Sequence, residues 1–122
     1  MKILLVDDNE ELREFMAHSL SEAGIEAVTA ANASEALIKA AADRFDVLVV
    51  DSFLGEDDGL DLVARLVASK SGKNTPILLM STISTALARR IASAAGCSEF
   101  LVKPFGLTQF AELVRSMART RK

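Results

Sequence analysis

Four apolar runs in this chain of 122 residues end on groups that can do chemistry. Val47-Leu48-Val49-Val50 runs into Asp51-Ser52, and Ile3-Leu4-Leu5-Val6 into Asp7-Asp8. Ile77-Leu78-Leu79-Met80 runs into Ser81-Thr82, and Phe100-Leu101-Val102 into Lys103-Pro104. A short apolar run rich in branched residues fits a strand buried on both faces. Such a strand cannot hold an unpaired charge, so each polar group belongs just past its C-terminal end, where solvent, a cation or a lysine can reach it. One aspartate there would serve equally well as a helix N-cap. The repetition is what argues for a site.

If the first and third strands are neighbours, Asp7, Asp8 and Asp51 share one crevice, and their mutual repulsion calls for a cation. Oxygen ligands with no nearby His or Cys favour a hard ion, and few carboxylates with room for water favour magnesium. Lys103 can reach in as a point charge, and Ser81 offers a hydroxyl donor. A metal, a lysine and a hydroxyl converging on one carboxylate are the parts of a phosphoryl-transfer site with that carboxylate as nucleophile. Metal and lysine would stabilise the charge developing on the phosphoryl oxygens.

The elements that must position these groups follow from period and punctuation. Lys2 to Val6 reads as the first strand, broken by Asp7-Asp8-Asn9. Asn9 can cap a helix with Glu10 and Glu11 in its first turn, where negative charge is favourable. Leu12, Phe15, Met16, Leu20 and Ala23 recur at helical spacing, and Gly24 is a natural stop. Ile25 to Ala30 reads as the second strand. Asn32 with Glu35 is a candidate capping box opening an alanine-rich helix through Leu37, Ile38 and Ala41. Asp43-Arg44 turns the chain into the central strand, and Phe53 to Gly59 reads as a loop after Asp51.

A third helix carries Leu60, Val63, Leu66 and Val67 on one face. The polar stretch Lys70 to Thr75, holding Gly72, leads through Pro76 into the fourth strand. Ser84 or Thr85 starts a fourth helix with Leu87, Ile91 and Ala94 inward and Gly96 at its end. Ser98 to Val102 is the fifth strand. Leu107 to Arg119 is the last helix, with Leu107, Phe110, Leu113, Val114 and Met117 inward. Strict alternation of strands and helices implies an α/β domain with a parallel sheet covered on both faces. Right-handed crossovers leave few topologies, and a doubly wound, flavodoxin-like (βα)5 sheet of order 2-1-3-4-5 is expected. In such sheets sites form at the C-terminal strand ends near the switch in strand order. The polar residues named above all lie there.

Composition bounds the rest. The length fits one domain over residues 1–122, and half of the residues are apolar, as in ordinary globular proteins. A net charge of −3 is far from the basic excess of a nucleic-acid binder, so no direct nucleic-acid binding is expected. One cysteine rules out an intramolecular disulfide and fits a reducing cytoplasm. No apolar stretch approaches the roughly 20 residues that span a bilayer, and a first strand starting at residue 2 or 3 leaves no room for a signal peptide.

Val6-Asp7-Asp8-Asn9, Asp51, Asp58-Gly59, Ser81 and Lys103-Pro104-Phe105 stand in the order and at the intervals of a family motif. On these pieces the chain resembles, from end to end, a response-regulator receiver domain of bacterial two-component signalling. The resemblance implies that Asp51 is the phosphoacceptor, taking phosphate from a sensor histidine kinase or a histidine phosphotransfer protein. It implies magnesium held by Asp7, Asp8, Asp51 and the backbone carbonyl of Phe53. Lys103 would pair with the phosphoryl group, and its bond to Pro104 would be cis, which proline makes affordable. Ser81 and Phe100 would form the switch. The Ser81 hydroxyl is drawn to the phosphoryl oxygen, and Phe100 turns inward into the space beside it. That remodels the face made by the fourth helix, fifth strand and fifth helix, through which a downstream protein target binds and a homodimer can form.

The departures from the family carry information too. Gly55 stands where a proline is common, so the loop after the acceptor should be more flexible. Phe53 and Ile83, each two residues past a site residue, are apolar where the family often carries polar groups. Two apolar groups restricting water predict a long-lived phosphorylated form. Phenylalanine at 100 lacks the hydroxyl through which a tyrosine would hydrogen-bond.

The implied activity is self-catalysed phosphotransfer and autodephosphorylation, with no separate substrate and hence no enzyme in the usual sense. A phosphate-independent interaction module on the same fold is the alternative, opposed by intact Asp7, Asp8, Asp51, Ser81 and Lys103. A magnesium-dependent phosphatase of the haloacid dehalogenase type would need an acid two residues after Asp51, where Phe53 stands. The chain reads as a stand-alone receiver or as one domain of a larger regulator. His18, off the apolar stripe with no second ligand nearby, reads as surface, and Cys97 as a small hydrophobe in a turn. Arg115, Arg119, Arg121 and Lys122 form a basic tail suited to a helix C-terminus.

Overall fold

Ile3, Leu4, Leu5 and Val6 are fully buried, as are both central apolar runs. That burial comes from helices on both faces of one sheet. The computed structural model describes residues 1–70 and 74–120. Its chain order is β1 (Lys2–Val6), α1 (Glu10–Glu22), β2 (Glu26–Ala30), α2 (Ala33–Ala42), β3 (Val47–Asp51), α3 (Gly59–Ala68), β4 (Ile77–Ser81), α4 (Ala86–Ala95), β5 (Glu99–Val102) and α5 (Leu107–Thr120). The five strands pair in parallel in the order β2-β1-β3-β4-β5, the flavodoxin-like arrangement. Gly72 of the polar connection and Arg121 and Lys122 of the basic tail lie outside the described residues.

The two-residue period of a strand sends alternate side chains to opposite faces. Leu4, Val6, Leu48, Val50, Ile77 and Leu79 pack against Ala36, Ala40, Leu62, Val63, Leu66 and Ala92 of α2, α3 and α4. Ile3, Leu5, Val47, Val49, Leu78 and Met80 pack on the other face against Met16, Leu20, Phe110, Val114 and Met117 of α1 and α5. Side chains close the helix starts. Asn9 Oδ1 accepts from Leu12 N at 3.1 Å, Asp58 Oδ1 from Leu60 N at 2.9 Å, and Thr85 Oγ1 from Ala88 N at 3.1 Å. Asn32 Oδ1 accepts from Glu35 N at 2.9 Å, but the return bond differs from a capping box: Glu35 Oε1 accepts from Ala31 N at 3.3 Å.

Two expectations about faces need correction, on α1 and α4. Phe15 and Leu12 on α1 are exposed, and Met16 and Leu20 alone of that stripe are buried. On α2 the buried residues are Ala33, Ala36 and Ala40, while Ile38 is exposed. On α4, Leu87 is 64% and Ile91 46% exposed, Ala94 is exposed, and Ala92 is the buried residue. The cause is common to α2 and α4. Small residues let a helix backbone approach its neighbours closely, and the larger residues one step around the helix are turned outward.

The segment after Asp51 is also more ordered than a loop. Phe53–Leu54 and Asp57–Asp58 form an antiparallel hairpin, with Gly55 at its turn at a φ of 66°. Asp57 Oδ2 accepts from Ala33 N at 3.0 Å and ties the hairpin to the start of α2. Gly59 seats α3 directly on the end of β3. A Cβ there would lie 2.1 Å from the Asp51 carbonyl oxygen and 2.7 Å from Ser52 Cα. Gly59→Ala should therefore lower the unfolding free energy by at least the roughly 1–3 kcal/mol typical of overpacking, read as a lower urea midpoint. An unchanged midpoint would show that α3 can retreat from the acceptor strand.

Candidate functional site

Strand register brings the polar strand ends to one level. Val6 pairs with Val50, Asp51 with Met80, and Ser81 with Val102, so Asp7, Asp51, Ser81 and Lys103 follow one another across four adjacent strands. Backbone bonds carry the sheet one residue further: Asp7 N donates to Ala30 O at 3.1 Å and Lys103 N to Ser81 O at 2.8 Å. The carboxylates of Asp7, Asp8 and Asp51 offer oxygens that all lie within 4.8 Å of one another.

Asp51 is 6% exposed. Its Oδ1 accepts from Phe53 N at 3.2 Å and its Oδ2 from Lys103 Nζ at 2.6 Å. Asp7 is 1% exposed; Oδ1 accepts from Asn9 N at 2.9 Å, while Oδ2 is buried without a hydrogen-bond partner among the described residues. Lys103 Nζ stands 4.0 Å from that oxygen. Burial pushes the Asp7 carboxyl above its usual range; the Asn9 N–H opposes this, Asp51 and Asp8 add to it, and Lys103 offsets part. Asp8 is exposed at the rim, and the hairpin turn closes over it: a Cβ on Gly55 would lie 3.3 Å from Asp8 Oδ2.

A carboxylate oxygen without a hydrogen bond beside two further carboxylates is costly in a protein interior. It is also what a hard divalent cation with oxygen ligands requires, so the residues fit a magnesium-type ion. Sequence reasoning missed one further contributor. Arg13 Nη1 donates to the Asp7 carbonyl at 2.8 Å and fixes the peptide between the first two acids. Its signal was a basic residue one turn into α1.

The Ser81 side chain is buried, and its Oγ accepts from Ile83 N at 3.0 Å, leaving its proton to donate elsewhere. The Lys103–Pro104 bond is cis. Phe53 is 74% and Ile83 58% exposed. Phe100 is half-buried on β5, with the Arg89 guanidinium carbon 4.9 Å from its ring centroid. The residues set aside stay apart from this cluster. His18 pairs with Glu22 on the surface at 3.0 Å. Burial pushes the Cys97 thiol up to about 11, so it is not a thiolate near neutrality. Arg115 donates to the Ala23 carbonyl and joins α5 to the end of α1.

A family model described as the response regulator receiver domain matches residues 3–115. The chain belongs to this family. The receiver domain is 34% identical over its whole length to the response regulator MprA of Mycobacterium avium, and spans 53% of that protein. Its fold matches the chemotaxis protein CheY4 of Vibrio cholerae with a TM-score of 0.90 at 34% identity, covering 95% of this chain and 97% of that one. It also matches a Burkholderia pseudomallei response regulator, whose structure holds a phosphorylated aspartic acid, a calcium ion and citrate. There the TM-score is 0.85 at 29% identity, covering 97% of this chain and 68% of the other. This is a domain of two-component response regulators, a class consistent with phosphorylation-controlled switching, and the phosphate-independent module is not favoured. No helix among the described residues is long and apolar enough to cross a membrane.

The raised Asp7 carboxyl sets a sign. An acid whose folded pKa lies above its unfolded value contributes stability at low pH and loses it as pH rises through the raised value. Without metal, Asp7 therefore weakens the fold near neutrality, and Asp7→Asn should raise the urea midpoint of the metal-free protein at pH 7. Magnesium at about ten times its dissociation constant should add about 1.4 kcal/mol to the wild type and nothing to this variant. A metal-free midpoint that falls in Asp7→Asn would contradict the assignment of strain to this carboxylate.

Proposed function

We propose that residues 1–122 form a phosphorylation-controlled switch in which Asp51 accepts a phosphoryl group from the phosphohistidine of a sensor histidine kinase or a histidine phosphotransfer protein. The observation that carries this reading is the 2.6 Å contact of Lys103 with a nearly buried Asp51, beside two further carboxylates. An Asp51 oxygen attacks phosphorus, the bond from phosphorus to the donor imidazole nitrogen breaks, and its electron pair leaves with the imidazole. Asp7, Asp8, Asp51 and the Phe53 carbonyl are the ligands for magnesium, which when bound supplies positive charge to the phosphoryl oxygens. The phosphorylated aspartic acid and calcium ion of the Burkholderia relative support both assignments.

The chain's own groups do the rest. Lys103 exchanges the Asp51 carboxylate for a phosphoryl oxygen, so its charge stays paired throughout. Ser81 donates its free hydroxyl proton to another. Phe100 follows into the space beside Ser81 and remodels the face of α4, β5 and α5. Exposed Leu87 and Ile91 on that face suit a downstream protein or a second copy of the domain. The activity is self-catalysed and ends in attack by water, with no separate substrate. A cytoplasmic setting, without membrane or direct nucleic-acid contact, fits this role.

Incubation with magnesium and acetyl phosphate or phosphoramidate should add one phosphoryl group to the intact mass, and none in Asp51→Asn or without metal. Failure of the wild type to gain mass or to bind beryllofluoride would sink the proposal. Phe53 and Ile83 are apolar and exposed, each two residues past a site residue. Phe53→Asn combined with Ile83→Glu should speed dephosphorylation severalfold, read as loss of the phosphorylated mass with time. Equal rates would remove these two side chains from the control of hydrolysis.

A further inference from the structure

Arg89 has no part in the phosphoryl-transfer machinery, yet it sits directly on the proposed switch. It lies on the exposed side of α4, with its guanidinium carbon 4.9 Å from the centroid of the Phe100 ring. That is within the distance at which a cation is attracted to an aromatic face. Phe100 is half-buried and packs at the edge of the core shared by α2, α3 and α4. α4 packs through small residues, with Ala92 buried and Ala95 partly buried, while Leu87 and Ile91 face solvent. The contact between Arg89 and Phe100 therefore joins a lightly anchored helix to a partly buried ring.

We propose that Arg89 is a positioning residue, a latch that holds Phe100 in its half-buried position and weights the switch toward the unphosphorylated conformation. The proposal rests on the reading of Phe100 as the switch aromatic. A ring that turns inward toward Ser81 leaves the guanidinium, so the contact exists in one conformation and not in the other. A contact made in only one of two states shifts their equilibrium by its own free energy. At an exposed site a cation–π contact changes such an equilibrium by about two- to fivefold. By linkage, whatever stabilises the resting conformation weakens the binding of a phosphoryl group or its mimic by the same factor. Arg89 thus sets how much phosphoryl signal is needed to turn the ring.

The test is the dissociation constant of beryllofluoride, with magnesium saturating, for the wild-type chain, Arg89→Met, Phe100→Leu and the double variant. Arg89→Met should bind about two- to fivefold more tightly than wild type. In the Phe100→Leu background the same substitution should change nothing. The sign is diagnostic, because loss of a positive charge would by itself weaken binding of an anion. Unchanged or weaker binding in Arg89→Met, or equal tightening in both backgrounds, overturns the latch.

Fluorine NMR separates this failure from failure of the underlying reading. In protein labelled with fluorophenylalanine, the resonance lost in Phe100→Leu identifies position 100. In the wild type it should shift on addition of magnesium and beryllofluoride. A shift without an Arg89 effect overturns the latch alone. A resonance that stays fixed while beryllofluoride binds overturns the switch reading of Phe100, and the latch with it.

Discussion

The structure depends on how three carboxylates are kept together at the end of a buried sheet. Asp7 and Asp51 are almost wholly removed from water, and one oxygen of each of the three acids lies within 4.8 Å of the others. Lys103 is the counter-charge, 2.6 Å from Asp51 and 4.0 Å from Asp7. One ammonium cannot neutralise three carboxylates, and Asp7 keeps a buried oxygen without a hydrogen bond among the described residues. The deficit of positive charge is thus part of the resting molecule. On the proposed function, a divalent ion and the positive groups that meet a phosphoryl oxygen would both act on that deficit, which would couple metal binding and phosphorylation to folding.

The rest of the fold can be read as the support this cluster needs. Parallel strands with both faces covered place their C-terminal ends at one level, so register alone lines up Asp7, Asp51, Ser81 and Lys103. Gly59 lets α3 start against the Asp51 carbonyl, and Arg13 holds the carbonyl of Asp7. The hairpin after Asp51 is fixed at two points, by its own pairing and by Asp57 on the start of α2. These contacts hold backbone rather than side chains. The carboxylates are held at their roots, and among the described residues Asp7 Oδ2 is the tip oxygen buried without a hydrogen bond.

Much of this was legible in the amino-acid sequence, and the limit is a physical one. Runs such as Val47 to Val50 admit few interpretations, because four adjacent buried residues need cover on both sides. The caps Asn9 and Asn32 and the stop at Gly96 were legible because each uses chemistry local to a few residues. What failed were judgements of which face turns inward. Leu87 and Ile91 look like a core stripe by size and spacing, yet Ala92 is the buried residue. Periodicity locates a stripe but does not say whether close approach by small residues or volume filled by large ones sets the packing. Arg13 and the hairpin were missed for a related reason. Their partners, Asp7 O and Ala33 N, are backbone atoms distant along the chain or masked by the acids around them.

The misread face of α4 bears on how a receiver can switch at all. A helix that buried Leu87 and Ile91 would be locked to the sheet by large side chains, and a single turning ring beneath it could not move it cheaply. Packing through alanine anchors α4 weakly, and its large apolar groups are left on the surface, available to a partner. The same exchange explains the position of Phe100. Its ring is neither core nor surface, and its partners on either side are a guanidinium on a loosely held helix and the sheet interior. If Phe100 is the switch aromatic, as proposed, a ring between these two environments is what a local hydrogen bond from Ser81 would bias. A tightly packed α4 would make a more stable domain and a poorer switch, because the conformational energy gap would exceed what one phosphoryl group can supply.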